Sequence, residues 1–313
     1  MSASVPPPAS RTTLYDIPAP AKLNLFLHVV GRRPDGYHLL QTAFRFVSLC
    51  DHLGMERRAD GQIVRQGASL PGLSADEDLV VRAARLLQQA TGTSHGATIH
   101  YDKRIPAGAG LGGGSSNAAS TLLALNRLWH TGLRRHQLQE LAARLGADVP
   151  VFVYGQGAFA QGTGDELEPL HYPDTHYVLI HPSISMTTAS VFASEHLTRD
   201  TKPITITDFT KWLAGHCQAD FFGQNNLQAA AYLLQPQLAQ LQKWLAGVGV
   251  NARMTGSGSS FFVPCDKAAQ AAMLKQKILG KINSRESVAK QAIRQISVCH
   301  GLNDHPLKYW VNN

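Results

Sequence analysis

The sequence predicts an α+β fold in two domains, and three observations carry that prediction. The 313 residues exceed the size at which one core usually keeps growing. Hydrophobic residues make up 44% of the chain, enough to bury real cores. Helical and strand patterns mix without regular strand–helix–strand alternation, which disfavours a doubly wound parallel sheet.

The chain opens with M-S-A-S-V-P-P-P-A-S, rich in proline and serine and without the apolar segment of a secretory signal. Residues 1–13 therefore read as a disordered lead-in. Residues 22–30, K-L-N-L-F-L-H-V-V, read as an apolar strand. Pro34-Asp35-Gly36 then supplies turn chemistry, since proline fixes φ and glycine permits positive φ. Tyr37 and His38 follow the turn, and residues 43–49 read as a second strand. Over 77–90, the residues Leu79, Val80, Ala83, Leu86, Leu87 and Ala90 share one helical stripe, with Gly92 placed to end it. Residues 97–101 read as a strand that leads into a glycine-dense loop. Beyond the loop, Ala118, Leu122, Leu125 and Trp129 recur at helical spacing.

A helix over about 136–145 ends at Gly146 and is followed by Ala147-Asp148-Val149-Pro150. Pro150 disfavours helical geometry at Val149, which puts Asp148 just past the helix. The run V-F-V-Y after it reads as an apolar strand. A turn-rich Q-G-T-G-D-E at 161–166 precedes a new set of elements. The domain boundary is placed near residue 170, giving domains 14–170 and 171–313. In the second half, helical patterns cover 225–234 and 236–246. A strand A-R-M-T enters Gly256-Ser257-Gly258-Ser259-Ser260, F-F-V leaves it, and a helix spans 267–279.

The loop itself is R-I-P-A-G-A-G-L-G-G-G-S-S-N-A-A-S, residues 104–120, with no acidic side chain. Glycine lets backbone approach a ligand closely. At a helix start, free N–H groups point outward with the positive end of the dipole, and Ser115 and Ser116 add hydroxyls there. Such an ensemble is an anion cradle suited to phosphates. A Walker A loop would need a lysine after Gly114, where Ser115 stands. A dinucleotide fingerprint can be traced through Gly108, Gly110 and Gly113, but Leu133-Arg134-Arg135 occupies the place of its acidic residue. A protein-kinase loop would join two strands and not open a helix.

The run P-A-G-A-G-L-G-G-G-S-S-N-A resembles the phosphate loop of the GHMP kinases, a superfamily of small-molecule kinases. P-A-K-L-N-L-F-L (20–27) is similar to their first motif, and Met254-Thr255-Gly256-Ser257-Gly258-Ser259 to their third. Three motifs in order across most of the chain make the resemblance specific. R-P-D-G-Y-H-L-L-Q-T and G-A-D-V-P-V-F extend it toward the branch whose acceptor is cytidine-diphosphate methylerythritol. That resemblance implies phosphorylation by ATP of the 2-hydroxyl of a cytidine-diphosphate sugar alcohol, in non-mevalonate isoprenoid precursor synthesis. It implies an N-terminal domain like ribosomal protein S5, a ferredoxin-like C-terminal domain, and an active site in the cleft between them.

Phosphoryl transfer demands positioning and charge neutralisation more than covalent chemistry. Asp148 is the candidate base for the acceptor hydroxyl, and Lys22 is its charge partner, able to steady the attacking oxygen. The resemblance assigns the same two positions to catalysis. It also assigns the ATP site to Lys103, Pro106, Gly108, Gly110, Leu111, Gly112, Gly113, Gly114, Ser115, Ser116 and Asn117, with Asp78 beside adenine. Relatives often carry Asn at position 78. A carboxylate there only accepts, so it would serve the adenine amino group. An aromatic face with an imidazole suits a pyrimidine, and the resemblance puts cytosine against Tyr37 and Phe192 with His38 at its polar edge. Asn24 and Thr188 match positions that line the acceptor pocket, while Gly256, Ser257 and Gly258 would approach its diphosphate or the transferred group. The last three are equally suited to a tight hairpin, and the two roles are compatible. Taken singly, Asp148 also reads as a turn former, Lys22 as a solvated strand-edge residue and Tyr37 as partial core cover.

Two further departures stand out. Ala193 occupies a position where related chains can carry lysine, so a cation on the acceptor side is missing or supplied elsewhere. Asn225-Asn226-Leu227-Gln228 replaces the family's Asn-Asp-Leu-Glu, which suggests helix capping there and no chemistry. ATP use implies Mg²⁺, for which Ser115 is a candidate contact and no carboxylate stands out.

The remaining composition limits other functions. Net charge is +7, with Lys and Arg scattered in short pairs such as Arg32-Arg33 and Arg57-Arg58. That fits a solvated surface or attraction for a polyanion, and charge does not choose between them. A mevalonate- or homoserine-type kinase and a non-catalytic nucleotide- or nucleic-acid-binding protein stay open as alternatives. No aromatic RNA-binding motif or zinc-finger spacing is present. Cys50, Cys217, Cys265 and Cys299 never take C-x-x-C spacing, so reduced thiols in a cytoplasm are expected. No apolar run approaches the roughly 18 residues needed to span a bilayer. The expected partner is a small molecule, with neither nucleic acid nor membrane.

Overall fold

The computed structural model describes residues 12–67, 74, 76–215, 221–282 and 289–312. Most of the predicted lead-in, and Cys217, lie outside the described residues. Strands β1 (Thr13–Arg32) and β2 (His38–Arg58) form one long antiparallel hairpin across the Pro34-Asp35-Gly36 turn. Both predicted strands fall inside it, and polar ends such as Thr13 opposite Glu56 extend the pairing beyond the apolar runs. Register shifts between Pro20 and Ala21 and between Asn24 and Leu27 interrupt the hairpin, and such irregularities bend a strand.

The chain continues through β3 (Ile63–Gln66), α1 (Leu79–Thr91), β4 (Gly96–Asp102) and α2 (Gly113–Leu128). The carboxylate of Asp78 caps α1 by accepting the Val80 N–H, and Gly92 ends it in the left-handed region. Helices α3 (Arg135–Ala143) and α4 (Val149–Tyr154) precede the short strands β5 (Ala158–Gln161) and β6 (Glu166–Pro169). The V-F-V-Y run is thus helical, against the expectation of a strand. Pro150 sits in the first turn of α4, where its missing N–H costs nothing. Val151, Phe152 and Val153 are buried all round, so an apolar run this short carries no period to distinguish the two states.

The second half comprises β7 (His176–Pro182), α5 (Thr188–Ala193), α6 (Ile206–Gly215), α7 (Asn226–Leu234), α8 (Pro236–Gly247), β8 (Arg253–Met254), β9 (Phe261–Cys265), α9 (Ala268–Ile282), α10 (Ala289–Ala292) and β10 (Ile293–Leu302). The predicted helices at 225–234, 236–246 and 267–279 correspond to α7, α8 and α9. The sheet runs β3-β4-β2-β10-β7-β9-β8, with β1 and β5 also on β2 and β6 on β5. Among the described residues only the β3–β4 strand pair is parallel, as suits an α+β protein.

Strand β10 pairs with β7 along its length and with β2 at Gly301 and Leu302. It thereby joins the two halves. One core gathers Phe46, Leu53, Leu122, Trp129 and Phe152, and another gathers Val178, Ile180, Leu238, Met254 and Phe261. A third contains Leu23, Leu111, Leu179 and Phe262, so it contacts strands of both halves and the glycine loop. Residues 303–312 return to the first core through Leu307 and Val311. The Arg135 guanidinium holds them there by donating to the carbonyl oxygens of Val311 (3.0 Å) and Lys308.

Candidate active site

The glycine loop opens α2 as its pattern predicts. Gly112 is the N-cap residue at φ +68°, and the first intrahelical bond runs from the Ser116 N–H to the Gly112 carbonyl at 2.8 Å. The amides of Gly113, Gly114 and Ser115 therefore have no partner inside the helix, and they add to the positive end of its dipole. Three other segments hold the loop by backbone bonds. Lys22 N–H donates to Leu111 O at 3.0 Å, Ser260 N–H to Ala109 O at 3.2 Å, and Met186 N–H to Gly108 O at 3.2 Å. Gly110 takes φ +73°, and a Cβ there would lie 2.3 Å from the Thr255 carbonyl oxygen.

Lys22 and Asn24 share one face of β1 because strand side chains alternate. Lys22 Nζ donates to Asn24 Oδ1 at 2.5 Å and lies 3.1 Å from Asp148 Oδ2. The lysine is buried, while the aspartate side chain keeps 38% exposure and can meet a solute. Asp148 stands at the N-cap of α4 without spending its carboxylate on a cap bond. Asn24 is itself fixed, donating from Nδ2 to Thr42 Oγ1 at 2.9 Å and from its backbone N–H to Thr255 Oγ1 at 2.8 Å.

A cleft of about 950 Å³ brings together every residue the sequence singled out except Ser116 and Gly258. The helical turn aims Ser116 into the protein, where it is fully buried, so it offers the cleft no hydroxyl. Gly258 turns the β8–β9 hairpin and donates its N–H to Thr255 O at 3.1 Å, which removes that amide from ligand duty. The carboxylate of Asp78 is engaged by protein: besides Val80 N–H at 2.9 Å, it accepts from the Tyr101 hydroxyl at 2.8 Å and faces Arg65 Nε at 3.4 Å. The phenol is pushed up to about 12, by burial first and then by that carboxylate.

At the other end of the cleft, Tyr37 is 66% exposed and makes an open aromatic wall. His38 and Phe192 lie with ring centroids 5.1 Å apart. Arg199 Nε donates to His38 Nε2 at 3.0 Å. Burial, and after it the positive charges of Arg199 and Arg32, push the His38 imidazole below its ordinary pKa. Thr188 and Ser257 share a hydroxyl–hydroxyl bond at 3.0 Å. Asn225 caps α7 at Leu227 N–H and donates from Nδ2 to the carbonyls of Met254 (2.8 Å) and Gly256 (2.9 Å). The expectation of a capping segment holds, and this cap also secures the Gly256 turn.

The family description "GHMP kinases N terminal domain" matches residues 78–156, and "GHMP kinases C terminal" matches 211–280. The 4-diphosphocytidyl-2-C-methyl-D-erythritol kinase of Bordetella parapertussis is 50% identical over 302 residues, covering 96% of this chain and 99% of that protein. The chain belongs to the GHMP kinase family. The kinase of the same name from Ralstonia nicotianae is 49% identical, covering 96% of this chain and 98% of its own length. A crystal structure of 4-(cytidine 5'-diphospho)-2C-methyl-D-erythritol kinase superposes with a TM-score of 0.74 at 33% identity, covering 91% of this chain and 98% of that one.

Several residues that shape this GHMP kinase site carried no sequence signal. Asp51 is fully buried in β2 and accepts from the amides of Arg104 (2.7 Å) and Ile105 (2.8 Å) and from the Lys103 ammonium. It anchors the entry to the phosphate loop and holds Lys103 beside the start of α2. Nothing marks an aspartate within a half-polar strand for that task. Tyr101 likewise carries no signal, since it becomes significant only through Asp78, distant in sequence. Among the described residues no three His, Cys, Asp or Glu side chains cluster as a metal site.

Proposed function

We propose that this GHMP kinase transfers the terminal phosphoryl group of ATP to the 2-hydroxyl of 4-diphosphocytidyl-2-C-methyl-D-erythritol. The observation that carries the reading is the Lys22–Asp148 pair at 3.1 Å, in the same cleft as the unpaired amides of α2. ATP would lay its phosphates on the amides of Gly113, Gly114 and Ser115, with Lys103 at their edge. Its base would extend toward Leu79 and Tyr101. The cytosine would enter between Tyr37 and Phe192 with His38 at its edge. Asn24, Thr188, Gly256 and Ser257 would line the path between base and reacting hydroxyl.

Asp148 would then accept the hydroxyl proton as the new P–O bond forms, and Lys22 would neutralise charge on the attacking oxygen. The lysine is anchored by Asn24, so its position is set before substrate arrives. A magnesium ion would take the Ser115 hydroxyl, which lines the cleft at the start of α2, as its contact with this chain. When bound, such an ion supplies charge neutralisation across the phosphates. We read residues 14–170 and 171–313 as the two domains that flank the cleft, a cytoplasmic location, and small molecules as the partners.

The test is an ADP-release assay with ATP, Mg²⁺ and a panel of acceptors. Turnover with 4-diphosphocytidyl-2-C-methyl-D-erythritol alone is the expected result. Turnover with mevalonate or homoserine would move the acceptor, and ATP binding without any turnover would overturn the reading.

A further inference from the structure

We propose that Arg199 is a positioning residue that fixes the tautomer of His38 and thereby the base preference of the acceptor pocket. The inference rests on reading the Tyr37–His38–Phe192 end of the cleft as the site of the acceptor's base. Arg199 lies beyond α5, in the segment L-T-R-D-T, and does not line the cleft. Its guanidinium donates from Nη1 to Leu197 O at 3.0 Å, and from Nη2 to Ser194 O at 2.8 Å and Phe192 O at 3.2 Å. Its Nε–H meets His38 Nε2 at 3.0 Å. One side chain therefore ties the end of α5, which carries Phe192, to the start of β2, which carries His38.

A guanidinium has donors and no acceptor. Nε2 of His38 must then be the bare nitrogen, and a neutral ring carries its proton on Nδ1. The opposite tautomer would aim one donor at another. The charged groups around the ring favour neutrality as well. Arg32 of β1 and Arg199 are both cationic, while Asp35 of the turn is taken up by Arg33 at 2.8 Å and by the Tyr37 amide at 3.2 Å. Among the described residues no protein acceptor takes the Nδ1 proton. His38 lines the cleft and packs near the Phe192 ring, so its single ring N–H is the donor it has for a ligand there.

That donor suits a pyrimidine whose N3 is a bare acceptor, as in cytosine. Uracil carries a hydrogen on N3 and would leave two donors facing each other. Arg199 also answers for the cation absent at Ala193. It stands behind the imidazole and acts through it, without touching the acceptor.

The test reads the tautomer and the base preference separately. Imidazole ¹⁵N shifts of the ligand-free enzyme should place the His38 proton on Nδ1, and in Arg199→Met they should move toward the Nε2–H form. Titration with cytidine 5′-diphosphate and uridine 5′-diphosphate should show a cytidine preference that narrows at least tenfold in Arg199→Met, with ATP affinity unchanged. Arg199→Lys, which keeps the charge but not the planar fork, should recover part of it. A wild-type ring protonated on Nε2 overturns the proposal, and this measurement needs no variant to fold. A tautomer shift that leaves the cytidine-to-uridine ratio untouched overturns it too. Failure of the acceptor reading is distinguishable, because the tautomer would stand as described while neither nucleotide competed with the acceptor.

Discussion

Lys22 and Asp148 lie 126 positions apart in sequence and 3.1 Å apart in space. At this distance the roles divide cleanly between a buried ammonium and an accessible carboxylate. Asp148→Asn should lower kcat by about 10²–10⁴, the range general-base catalysis supplies. Its ATP dissociation constant, measured by titration, should stay near that of the wild type. Tyr37→Ala removes a stacking face worth roughly 1–3 kcal/mol. The acceptor KM should rise about tenfold or more while the ATP KM holds, and equal changes in both would remove the stacking role. These residues were legible because each belongs to a local motif. Asp78 was legible as a position but not in its protein partners. Its commitment to Val80, Tyr101 and Arg65 depends on strands that the sequence does not pair. Asp51 and Arg199 were not legible at all, since their partners come from other elements.

The glycine loop is where elements meet, because β1, the segment before α5 and the β8–β9 hairpin each bind its backbone. Gly110→Ala should therefore be far more damaging than a surface change. The left-handed φ alone costs about 1 kcal/mol or more, and the new methyl would collide with the Thr255 carbonyl. A lower melting temperature together with lost turnover is expected, and a variant that keeps both would show that the two loops need not touch. Element by element, the sequence located strands and helices where side chains carry a period. The V-F-V-Y run of α4 is not legible as a helix because Val151, Phe152 and Val153, fully enclosed by protein, have no polar face to reveal their geometry. Elements such as β6, α5 and α10 carry no pattern of their own and form only because neighbours supply their pairing or packing.

The whole molecule carries buried histidines, His181 and His305, whose charging in acid should oppose folding. Burial pushes His181 down to about 4, and burial with the nearby charge of Arg135 pushes His305 down to about 3. Unfolding restores both to the ordinary value near 6.5. The unfolded chain then binds more protons between those limits, so stability is complete above about pH 6.5 and falls as acid is added. Each group contributes a slope approaching roughly 1.4 kcal/mol per pH unit within its window. Urea midpoints should decline from pH 6.5 toward 4, and His305→Gln should flatten that decline. A flat profile would mean the rings are protonated in the fold. At this scale the α+β class was legible from the mixture of patterns. The joining of the halves by β10 was not, because Gly301 opposite Val47 is a pairing between residues hundreds of positions apart.

That joint has a bearing on how the protein is made. Strand β10 leaves the ribosome after both strands it must bridge, β2 and β7. Until then β7 presents a bare edge and β2 a short gap at Phe46 and Val47, and bare edges invite pairing with other chains. A version cut before Ile293 should accumulate as insoluble material in cells. The stitch that creates one working cleft from two halves is thus added late in synthesis, and nascent copies depend on holding their edges apart until it arrives.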